Sequence, residues 1–65
     1  MNILYSIGCP RCNVLKKKLD DKGIEYYTIA DEEQIKAAGI SILPVLEIEG
    51  ERLDYPAAVK WVNEQ

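Results

Sequence analysis

Apolar positions are nearly continuous at the start of the chain. Ile3, Leu4, Tyr5 and Ile7 make Asn2 to Ile7 read as a strand buried on both faces. Gly8 breaks the run, and Pro10 suits the first turn of a helix. From there the period changes. Cys12, Leu15 and Leu19 recur at spacings of three and four, which places them on one face of a helix from Pro10 to Lys22. Lys22 and Gly23 give that helix its stop. Ile24 to Ile29 reads as a second strand, carrying Tyr26, Tyr27 and Thr28.

Asp31 with Gln34 three residues on resembles a capping box, and Glu32 and Glu33 suit the positive end of a helix dipole. A short helix from Glu32 to Ala38 is expected, ended by Gly39. Pro44 leads into a third strand, Val45 to Ile48. Glu49-Gly50-Glu51 is the expected hairpin turn, and Arg52 and Leu53 begin a return strand. Asp54 is a second N-cap and Pro56 fits the first turn of a last helix, Tyr55 to Asn63, with Ala58, Trp61 and Val62 as its apolar face. The order β-α-β-α-β-β-α contains a parallel βαβ unit followed by a hairpin. An α/β domain over residues 1–65 is expected, with a mixed four-stranded sheet flanked by helices.

With 65 residues there is room for one small domain. Hydrophobic residues make up 48% of the chain, which is globular composition rather than disordered. Because there is no Phe, the large core side chains must be Ile, Leu, Val, Tyr and Trp61. The net charge of −3 argues against a general nucleic-acid binder. The basic run Lys16–Lys18 precedes Asp20 and Asp21 at helical spacing and reads as a solvated face. No apolar run approaches the ~20 residues needed to span a membrane. The first residues lack the charged start and apolar stretch of a signal peptide, so a cytoplasmic location is the expectation. A monomer is expected as well.

Two cysteines form the motif Cys9-Pro10-Arg11-Cys12. As a structural staple the pair would close one of the shortest loops possible, where a disulfide constrains the unfolded chain least. A C-x-x-C beside a βαβ pattern points instead to thioredoxin-like redox chemistry. Cys9 falls at the start of a helix, where unpaired N–H groups and the dipole favour a thiolate; a free thiol ionises only near pH ~8.5. Cys12 lies one turn on, within reach of the first sulfur. Cys9 would attack a substrate disulfide, and Cys12 would then resolve the mixed disulfide. Pro10 stiffens the turn. Arg11 either places positive charge near the thiolate or is an ordinary solvated side chain. No His is present to act as a general base. Pro44 reads either as a strand-entry proline or as a cis-proline facing the dithiol; local sequence alone favours trans.

The stretch Tyr5-Ser6-Ile7-Gly8-Cys9-Pro10-Arg11-Cys12 resembles the Y-S-x-x-C-P-x-C opening of the glutaredoxin active site. Ile42-Leu43-Pro44 before Val45 is similar to the T-V-P element of that family, and Val45 to Leu53 to its closing hairpin. The likeness covers essentially the whole chain as a minimal form. It implies a thioredoxin fold, dithiol–disulfide exchange, Pro44 in cis, and a Leu43 backbone that pairs with a bound peptide or glutathione. Tyr5, Asp54 and Tyr55 are further candidates for substrate contact, Asp54 toward an amino group. The chain departs from the family pattern at Ile7-Gly8, at Ile42, and at Arg52-Leu53-Asp54-Tyr55, where the glycine pair is missing. The implied electron donor is therefore either glutathione, as a co-substrate, or a thioredoxin-reductase-type flavoenzyme. The implied partner is a disulfide-containing protein. No resident metal or cofactor is expected.

A rival reading is a soft-metal module. Two thiolates suit Cu(I), and small metal chaperones place C-x-x-C before a helix. Their order β-α-β-β-α-β ends in a strand, whereas this chain ends on the helix that carries Trp61. Zinc wants four ligands, and a dimer pooling four thiolates, with zinc or an iron–sulfur cluster, stays open.

Overall fold

A computed structural model describes residues 2–65; of the domain expected over residues 1–65, Met1 lies outside the described residues. The elements are β1 (Asn2–Tyr5), α1 (Pro10–Asp21), β2 (Tyr27–Ile29), α2 (Glu32–Ala37), β3 (Val45–Ile48), β4 (Glu51–Leu53) and α3 (Tyr55–Asn63). They build one four-stranded sheet in the order β2-β1-β3-β4. β1 and β2 are parallel; β1 with β3, and β3 with β4, are antiparallel. The expected mixed α/β sheet is what forms, and it has the thioredoxin-like arrangement.

Each sheet face is set by strand alternation. Leu4 stands opposite Leu46, and Leu46 opposite Leu53. Leu4 and Leu46 point into the core with Leu15 and Leu19 of α1 and Ala58 and Val62 of α3, all fully buried. α1 and α3 pack together over this face, with α3 against β3 and β4. Tyr5, Glu47 and Arg52 fall on the other face. There Arg52 donates to the Ala38 carbonyl at the end of α2, at 2.6 Å, which places α2 on that side. The sheet is thus flanked by helices on both faces.

Several element ends differ from expectation. β1 stops at Tyr5 rather than Ile7, because Ser6 and Ile7 already belong to the loop that turns at Gly8, whose φ of 86° favours glycine. β2 starts at Tyr27, not Ile24. The parallel ladder begins at Ile3 opposite Tyr27, and Asn2 uses its side chain, not its backbone register, to hold the Glu25 carbonyl. Ile24 packs on the core from an irregular segment. α1 and α2 each end one residue early, at Asp21 and Ala37, with Lys22 and Ala38 as C-caps. The hairpin turn is Glu49-Gly50 alone. Both have positive φ, 52° and 84°, as a two-residue turn of this hand requires, so Glu51 already pairs with Ile48.

Candidate active site

The dithiol loop leaves the C-terminal end of β1. Ser6 fastens it by donating its N–H to the Ile29 carbonyl at 3.1 Å. Gly8 turns the backbone, and Cys9 enters the helix in extended conformation, with φ −69° and ψ 162°. Cys9 is the N-cap of α1. Its Sγ accepts the Cys12 N–H at 3.2 Å, and its carbonyl accepts the Asn13 N–H at 3.0 Å. A sulfur therefore occupies the place that a serine or aspartate oxygen usually fills. Pro10 follows within the first turn, where its missing N–H costs nothing.

Cys9 and Cys12 are joined as a disulfide, with Cα atoms 5.0 Å apart. Their environments differ. Cys12 is only 1% exposed, on the core face of α1, while Cys9 is partly open to solvent. The helix end thus carries a partly exposed cysteine backed by a buried one, one turn on.

Pro44 follows a cis peptide bond from Leu43 and is buried. It stands just before β3, whose first residue, Val45, pairs with Tyr5 at the end of β1. The proline and the dithiol loop therefore share one end of the sheet. Leu43 is half-buried, and its backbone bonds to no other described backbone group.

A groove of about 420 Å³ runs past this corner, lined among others by Arg11, Ile42, Leu43, Asp54 and Tyr55. Arg11 is exposed, and its guanidinium carbon lies 5.6 Å from the centroid of the Tyr55 ring, a cation–π distance. Asp54 caps α3, with Oδ1 accepting the Ala57 N–H at 3.0 Å. Four of the residues singled out from the sequence thus meet on one wall. Tyr5 does not join them. It is buried on the α2 face with Arg52 over its ring at 5.9 Å, because the pleat turns it away from the loop that follows it.

Sequence reading passed over the apolar surround of the site. Ile42 is 75% exposed and Ile7 is 49% exposed, both within a few residues of the motif elements. Large apolar residues in loops beside a reactive motif were the available signal. Arg52 had no such signal, because its contacts with Glu47, Ala38 and Tyr5 come from distant parts of the chain. A slightly larger depression, about 440 Å³, lies at the opposite end of the sheet around Asn2, Tyr26 and Glu49. It holds no nucleophile and is remote from the dithiol.

Among the described residues, no group of three His, Cys, Asp or Glu is placed to hold a metal ion. The two sulfurs are half of a tetrahedral zinc set. Also among the described residues, no helix is long and apolar enough to cross a membrane.

No protein-family model matches this chain, and no curated protein matches it. Among solved structures it is similar to a Nu-class GST from Haemonchus contortus, with a TM-score of 0.76 and 24% identity, over 97% of this chain and 34% of that one. The chain thus spans about a third of the length of that protein, and what the two share is the thioredoxin-like fold.

Proposed function

We propose that the protein is a glutaredoxin-like dithiol–disulfide oxidoreductase acting through Cys9 and Cys12. The observation that carries this reading is the asymmetry of the pair: a partly exposed cysteine whose sulfur caps a helix N-terminus, backed by a buried partner one turn on. In the reduced protein, the Cys12 N–H that meets the Cys9 sulfur favours its negative form, as does the helix dipole. That thiolate attacks one sulfur of a substrate disulfide. An S–S bond forms to Cys9, the substrate bond breaks, and the other substrate sulfur leaves as a thiolate. Cys12, having lost its proton to water, then attacks the Cys9 sulfur. The substrate gains two electrons in all and leaves as two thiols once protonated. The Cys9–Cys12 disulfide is the oxidised product. A thiol donor, glutathione or a thioredoxin-reductase-type partner, returns the two electrons.

The Leu43 backbone, bonded to no other described backbone group, supports pairing with an extended disulfide-bearing segment, in the manner of strand addition. Asp54 and Tyr55 line the groove that such a ligand would enter.

The test is the reduction potential of the pair, equilibrated against glutathione buffers. A two-electron couple between about −270 and −200 mV is expected, the range of thioredoxin and the glutaredoxins. Cys9→Ser should abolish it, and Cys12→Ser should accumulate a mixed disulfide at Cys9. If no intramolecular disulfide forms and the protein instead retains Cu(I) or zinc tightly, the oxidoreductase reading fails and the metal reading replaces it.

A further inference from the structure

Two grooves, not one, flank the Leu43–Pro44 corner. The first carries Arg11 and Tyr55. The second, also about 420 Å³, has an apolar floor of Ile7, Ile35, Ile40 and Leu43. Its rim is Glu32, Glu33 and Lys36. Leu43 and Ile40 line both grooves. The dithiol loop contributes Ile7 to one and Arg11 to the other, so Cys9 lies between them in the chain. Each is of the size that holds a ligand segment.

The two sides differ in charge. Arg11 forms no ion pair with a described carboxylate; its guanidinium lies over the Tyr55 ring with N–H edges free for a carboxylate. The other charges of that groove are engaged. Arg52 bonds Glu47 and the Ala38 carbonyl, and Asp54 holds the Ala57 N–H. Across the corner, Glu32 and Glu33 are exposed and form no ion pair with a described residue, and Lys36 is the one cation among the residues that line this groove. One groove therefore offers Arg11 as a cation without an ion partner among the described residues, and the other is apolar with a net negative rim.

Resting on the oxidoreductase reading, we propose that the substrate is an extended polypeptide read on both sides of its cysteine. An acidic residue on one flank meets Arg11. On the other flank an apolar residue enters the Ile7–Ile35 groove, followed by a basic residue that meets Glu32 and Glu33. A small thiol disulfide fills one groove alone and leaves the second unread. A polypeptide crossing Leu43 fills both.

The test uses pre-reduced protein in single turnovers against peptides whose one cysteine is a thiopyridyl mixed disulfide. Attack of the Cys9 thiolate on the peptide sulfur expels the thiopyridine chromophore; Cys12 then releases the peptide thiol and leaves the Cys9–Cys12 disulfide. The peptides carry Glu on one flank and Ile-Lys on the other, in both sequence directions. Matched peptides replace the Glu by Lys, the Ile-Lys by Ile-Glu, or both. In one direction the first set should react faster, by about 3- to 5-fold per flank, as expected for single exposed charge pairs. The advantage should shrink as salt rises. Arg11→Glu should reverse the preference at the Glu flank only. A Glu32→Lys, Glu33→Lys double variant should reverse it at the Ile-Lys flank only. Equal rates across the set, or both variants acting on the same flank, would overturn the proposal. Dipyridyl disulfide, which has no flanks, separates the two failures. If it reacts while the peptide rates stay flat, only the specificity proposal fails. If it does not react, the oxidoreductase reading fails with it.

Discussion

At the scale of single residues, the decisive atoms are few and local. The Cys9 sulfur accepts a backbone N–H three residues on, which any sequence with Cys at an N-cap can arrange. Tyr26 shows the longer-range case. Its hydroxyl donates to Asp20 Oδ1 at 2.9 Å and ties the segment before β2 to the end of α1. Its phenol is pushed up to about 12 from the usual 10.0, by burial first, then by the hydrogen bond to Asp20 and the charge of that carboxylate. Below about pH 10 the folded and unfolded chains both keep this proton, and the full stabilisation is present. Between pH 10 and 12 the unfolded chain loses the proton first, so stability falls as pH rises toward the folded value. Tyr26→Phe should cost about 1 kcal/mol at neutral pH, from the lost hydrogen bond. Denaturant titrations of both proteins should show that difference shrinking between pH 10 and 12. A difference that stays constant across that range would refute the linkage.

At the scale of elements, capping and turn chemistry decide where helices and hairpins begin. Asp31 and Asp54 each accept an N–H of the first turn that follows, at 2.9 and 3.0 Å. The Asp31 bond reaches Glu33, not Gln34, so the motif that resembled a capping box works as a single-sided cap. Asp54→Ala should lower stability by about 1 kcal/mol, and Asp54→Asn should restore most of it, read by urea titration. Equal losses in the two variants would mean that the carboxylate acts by charge and not as the cap. Because Asp54 also lines the first groove, the stability readout is kept apart from any rate. β1 and β2 show the limit of pattern reading. The apolar and β-prone residues run on through Ile7 and back to Ile24, but the ladder exists only where a neighbour supplies partners.

At the scale of the whole molecule, 65 residues support a small margin, about 3–10 kcal/mol in total. Among the described residues, six fully buried side chains form its core cluster, four of them leucines. Leu46 sits between Leu4 and Leu53 on the core face of the sheet, fully buried. Leu46→Ala should cost about 3 kcal/mol, a large share of that margin, seen as a lower urea midpoint with a Cys9–Cys12 disulfide that still forms. A loss below about 1 kcal/mol would mean that the core relaxes around the gap.

The element order and the buried faces of α1 and α3 were legible from the chain. Cys12, Leu15 and Leu19, and likewise Ala58 and Val62, repeat at the helical period, and only one face of a helix can meet a sheet. The C-x-x-C at a helix start was equally legible, because the spacing and the cap are local properties. Distance along the chain hid the rest. The burial of Tyr5 depends on the pleat and on Arg52, 47 residues away. The stacking of Arg11 on Tyr55 needs α1 and α3 to pack side by side. The cis bond before Pro44 follows no local preference, since trans is the commoner state for any X–Pro pair. By itself the sequence determined the elements, their order and the reactive pair, because these follow from periodicity and neighbouring atoms. Only the tertiary structure decided which side chains surround that pair, because contacts between segments far apart in the chain exist only once the sheet has closed.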